Sequence, residues 1–142
     1  MRVSEVRPLP IVLVAFLCNG CDRSGGVIPV FPVSGKVFVG DVPAAQAHIA
    51  FHPLDAHDPR VVTSHAIVEP DGTFRLSTRR AYDGIPAGEY AVTVVWPSTS
   101  KKQDGKNAGP DLLEGRYARV ESTPLHAHIV EKPNELEPFQ LK

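Results

Sequence analysis

Cysteine is nearly missing from this chain of 142 residues: there are two, Cys18 and Cys21, both near the start. No disulfide framework is available to the remaining 121 residues, so they must hold together by burial. Long apolar runs are also missing. The longest, Leu9 to Leu17, would span only about 13 Å as a helix, well short of a bilayer core of about 30 Å. It also contains Pro10, which a buried helix does not accept in its interior. Charge of one sign is not in excess either. Fifteen Lys and Arg face sixteen Asp and Glu, for a net charge of −1. That balance offers no electrostatic footprint for nucleic acid and no polybasic segment for an anionic membrane surface. Finally, no stretch keeps a helical period. Fourteen prolines and eleven glycines fall between short runs of Val, Ile, Phe, Tyr and Thr, which predicts an all-β chain with room for one core.

What is present begins with a leader. Arg2 and Arg7 precede the apolar run, Asn19 and Gly20 lie just before Cys21, and the polar Asp22-Arg23-Ser24-Gly25-Gly26 follows it. The segment resembles a bacterial lipoprotein signal, with cleavage before a cysteine that receives the lipid. The family places Leu three residues before the cysteine; here Cys18 holds that position and Leu17 lies one further back. The resemblance implies a signal over residues 1–20, lipidation at Cys21, and a membrane-anchored protein of the cell envelope facing the periplasm or exterior. Asp22 after the cysteine is an inner-membrane retention signal in some lineages, so the choice of membrane stays open. An ordinary secretory signal cut nearby, or an uncleaved anchor, are the alternatives. Cys18-Asn19-Gly20-Cys21 also has the spacing of a redox pair or half a zinc site, but no second pair follows it.

Residues 21–32 read as a tether and residues 33–142 as one domain. Alternation predicts strands over 33–39, 45–52, 61–69, 73–76, 90–96, 125–131 and 137–141. Pro70-Asp71-Gly72 is a hairpin turn, since proline presets φ and Asp-Gly tolerates positive φ. Tyr90 to Trp96 is apolar on both faces and is expected at the centre of its sheet. The polar stretch from Pro97 to Pro110 is long for a loop, and Asp111 to Gly115 is expected to form one helical turn. Seven strands with turn signals between them predict a two-sheet antiparallel sandwich.

Six fragments then carry a family resemblance. They are Pro-Val-Ser-Gly-Lys-Val at 32–37, Ala-x-Ile-x-Phe-His-Pro at 47–53, Asp-Gly-x-Phe-x-Leu at 71–76, Pro-Ala-Gly-Glu-Tyr-x-Val-Thr-Val-x-Trp-Pro at 86–97, Leu-x-Gly-Arg-Tyr at 113–117, and Pro-Asn-Glu-Leu-x-Pro-Phe at 133–139. Together they resemble small bacterial lipoproteins with a carboxypeptidase-regulatory-like, or transthyretin-like, domain. The resemblance implies a seven-stranded Greek-key β-sandwich of Ig-like architecture. It implies a non-catalytic structural or interaction module, with the membrane and an unidentified envelope protein as partners and no cofactor.

Histidine is the one residue type that invites a site. His126 and His128 are two apart on an expected strand and project to one side, and His48 and His52 share a face of another. If the two faces adjoin, the four side chains suit zinc or copper. The plain alternative is a set of exposed polar positions on a half-buried sheet. Two enzymes share related sandwiches. The ureide hydrolase of purine breakdown ends in Tyr-Arg-Gly-Ser, whereas this chain ends Glu-Pro-Phe-Gln-Leu-Lys. Intradiol dioxygenases hold iron with two Tyr and two His; here Tyr90 reads as core and Tyr117 as part of a structural turn. No enzyme is expected.

Overall fold

The computed structural model describes residues 26–55, 57–98 and 109–142. The leader, Cys18, Cys21, the first part of the tether and the middle of the 97–110 stretch lie outside the described residues. Within them the protein is all-β, with no helix, and forms two mostly antiparallel sheets.

The first sheet is built around β1 (Val33–Val39). Val33, Gly35 and Val37 face inward, as alternation predicts. On one flank β1 pairs with β5 (Thr73–Arg75) and then β2 (Val42–Pro43). On the other it pairs with β8 (Asn134–Glu135) and then β9 (Phe139–Leu141). The second sheet has the order β4 (Ser64–Ile67), β3 (His48–Pro53), β6 (Gly88–Val95), β7 (His126–Ile129). β6 therefore lies between two partners, and its residues 90–94 are buried on both faces. That is the central position its apolar sequence predicts.

Two features differ from the expected antiparallel arrangement of seven strands. First, β8 and β9 run parallel to β1. After β7 the chain leaves the four-stranded sheet, crosses to the other, and travels beside β1 in the same direction. Second, there are nine strands among the described residues. β2 and β8 are two residues long, too short to show alternation, and occupy sequence that reads as turn and loop. The expected strand at 61–69 is also shorter, because Val61 donates to the Asp58 carbonyl in a turn. The expected helical turn at 111–115 is instead a run of turns that starts from a bridge between Asp111 and Pro97.

The core lies between the sheets. Phe51, Phe74, Tyr90 and Phe139 form its aromatic centre, with ring centroids 6.0–6.4 Å apart. Gly35 makes room for it: a Cβ there would stand 2.7 Å from Phe74 Cζ. Ile49, Val92, Val94, Ile129 and Leu141 complete the layer. One side of the sandwich is stitched by the hairpin from β4 to β5, where Glu69 N–H donates to the Thr73 carbonyl and His65 bridges Ser77. Trp96 packs at the core's margin, and its Nε1 donates to the Ala45 carbonyl. The fold reaches back to Phe31, which exchanges backbone hydrogen bonds with Ile85.

Candidate functional site

The outer face of the four-stranded sheet gathers the histidines. On β3, Ile49 and Phe51 point into the core, so His48, Ala50 and His52 point out. Residues directly opposite in a ladder share a face. The register pairs His48 with Ile67 and Val95, Ala50 with His65 and Thr93, and His52 with Ala91. On the far side of β6, Ala91 faces His126 and Glu89 faces His128. Five histidines thus share one surface: His48, His52, His65, His126 and His128. His65 was not among the expected candidates, although its place between buried Ser64 and half-buried Ala66 marks it as outward.

The face is shared, but the four expected ligands do not meet on it. His48 and His52 are four residues apart on one strand, about 13 Å, which a single ion cannot bridge. β6 separates them from β7 by two strand spacings, about 10 Å. Among the described residues no group of three or more His, Cys, Asp or Glu side chains converges on one point. Of the four, His126 and His128 stand together, about 7 Å apart along β7.

Their environments differ. His52 is half buried: its Nε2 lies 2.9 Å from Thr93 Oγ1 and its Nδ1 lies 3.3 Å from Thr63 Oγ1. Burial pushes this imidazole below its ordinary 6.5, the nearby His65 adds to the depression, and Glu121 opposes it. His126 and His128 are exposed. His128 Nδ1 lies 2.5 Å from Glu89 Oε1, and His126 Nδ1 lies 3.3 Å from the Pro124 carbonyl oxygen.

A separate concave region of about 1060 Å³ is lined by β1, β4, β5 and residues 135–138. Lys36 and Arg75 line it together with Glu69, Glu135 and Glu137, and the Arg75 guanidinium sits 3.9 Å from the centre of the Tyr82 ring. The lining mixes both signs of charge, so it presents no single-sign field to a ligand.

Several polar side chains are engaged in holding loops. Asp83 is held below the ordinary carboxylate range: partial burial raises it, but backbone N–H groups of Thr78, Arg79 and Arg80 outweigh that. Asp111 accepts from the N–H groups of Trp96, Leu113 and Gly115. Asn134 closes the turn before β8 through the backbone of Val130 and Lys132. The three tyrosines are engaged separately. Tyr90 Oη donates to the Pro86 carbonyl, Tyr117 Oη accepts from Lys142 N–H, and Tyr82 lies under Arg75. The chain matches no protein-family model, no curated protein and no solved structure.

Proposed function

We propose that this is a lipid-anchored cell-envelope protein whose transthyretin-like, Greek-key β-sandwich serves as a non-catalytic structural or interaction module. It faces the periplasm or cell exterior. The observation that carries the reading is the placement of Cys21 between an apolar leader and a folded domain that begins close behind it. Phe31 is already bonded to Ile85. The ten residues from Cys21 to Phe31 reach about 35 Å at most, so a lipid on Cys21 would hold the sandwich near the membrane surface. The all-β architecture and the alternating inward faces support the sandwich family implied by the sequence fragments. An envelope protein is the partner, and the edge at β7 is suited to strand addition.

The intact mass of the protein recovered from its native membrane fraction tests this. Residues 21–142 carrying a diacylglycerol and an acyl group support the anchor, and Cys21→Ser should move the protein to the soluble fraction. An unmodified chain starting elsewhere, already soluble, refutes it.

A further inference from the structure

Both exposed histidines of β7 have one ring nitrogen tied down. The partner of His128 Nδ1 is the Glu89 carboxylate, and the partner of His126 Nδ1 is the Pro124 carbonyl oxygen. A backbone carbonyl oxygen and a carboxylate are acceptors, so Nδ1 donates in both rings. In the neutral imidazole the lone pair then resides on Nε2 in both. A backbone carbonyl or a carboxylate on the second nitrogen is the arrangement that orients metal-bound imidazoles and raises their basicity. The rings leave the same face of one strand, two residues apart, and β7 is the outermost strand of its sheet. Water therefore has access to the remaining coordination positions.

We propose that His126 and His128 chelate one divalent transition-metal ion through their Nε2 atoms. Glu89 and the Pro124 carbonyl act as positioning groups. Two neutral imidazoles select ions of the copper, nickel and zinc kind over calcium or magnesium, which require oxygen donors. His48, His52 and His65 lie outside the site, since β6 stands between β3 and β7. Glu89 is the partner of a ring N–H and not a third ligand. The inference is independent of the lipid anchor.

The test is a Zn²⁺ titration of the full chain, with its thiols alkylated, followed by NMR of the histidine ring nitrogens. One equivalent should shift the signals of His126 and His128 together and leave those of His48, His52 and His65 in place. His126→Ala and His128→Ala should each weaken binding more than tenfold, Glu89→Gln about tenfold, and His48→Ala not at all. All these positions are exposed, so circular dichroism of the variants should match the parent. Ring signals that do not move, that move equally at every histidine, or alanine variants that bind like the parent would overturn the site. Loss at the two histidines with Glu89→Gln unchanged would overturn the role of Glu89.

Discussion

His52 Nε2 and Thr93 Oγ1 lie 2.9 Å apart on neighbouring strands, on the outer face of the four-stranded sheet. Thr63 meets the other nitrogen of the same ring, so this histidine is built into the sheet as a neutral group. Its pKa in the folded protein is below 6.5. The unfolded chain therefore binds the proton more readily, and His52 subtracts stability as pH falls through 6.5 toward the folded value. Above 6.5 it subtracts nothing. Urea denaturation at pH 7.5, 6 and 5 should show a steeper loss in the parent than in His52→Gln. At pH 7.5 the variant should be weaker by about 1 kcal/mol through the altered hydrogen bond. Parallel pH profiles would refute the assignment.

Tyr90 titrates in the opposite range. Burial pushes its phenol up to about 12. The folded state then keeps a proton that the unfolded chain gives up near 10, so stability is complete below pH 10 and falls as pH rises toward 12. Tyr90→Phe should cost about 1–2 kcal/mol at pH 7, because it orphans the Pro86 carbonyl. It should also flatten the alkaline decline. Thermal melting at pH 7 and pH 10.5 reads both effects.

Gly84 has φ +91°, and a Cβ there would stand 1.7 Å from the Phe31 carbonyl oxygen. Gly84→Ala should cost about 3 kcal/mol or more and break the Phe31–Ile85 bridge. Hydrogen exchange at the Ile85 amide is the specific readout. Retained protection in a folded variant would contradict the contact.

Asp111→Ala orphans three backbone N–H groups and should destabilise the protein by about 2–3 kcal/mol. Asp111→Asn keeps only one acceptor oxygen and should recover roughly half of that loss. Denaturant curves followed by Trp96 fluorescence measure both, since the Trp96 N–H is one of the three.

The inward faces were legible because alternation is strict where one side is buried. Ile49 and Phe51, Phe74 and Leu76, and Ala127 and Ile129 are buried as alternation predicts, and Tyr90 to Val94 are buried on both faces as their apolar run predicts. The turn at Asp71-Gly72 was legible too: Gly72 has φ +88°, and Asp71 accepts from the Thr73 N–H. The parallel course of β8 and β9 was not. Alternation records which face a residue takes and carries no information about which neighbour runs beside it. The candidate site was half legible. Spacing alone put His126 and His128 on one face. Their tied Nδ1 atoms and the intervening β6 depend on cross-strand register, which one strand's sequence does not encode. His65 became part of the same surface only through its pairing with Ala50.

β1 has a partner far along the chain. Val37, Phe38 and Val39 pair with Phe139, Gln140 and Leu141, about 100 residues further along the chain. The first sheet is therefore unfinished until residues 139–141 have been synthesised. A nascent chain that has not yet reached β9 lacks the parallel partner of Val37 to Val39. Over those hundred or so residues of growth the sheet stays open on that flank, the form in which a chain can be threaded across a membrane before it folds.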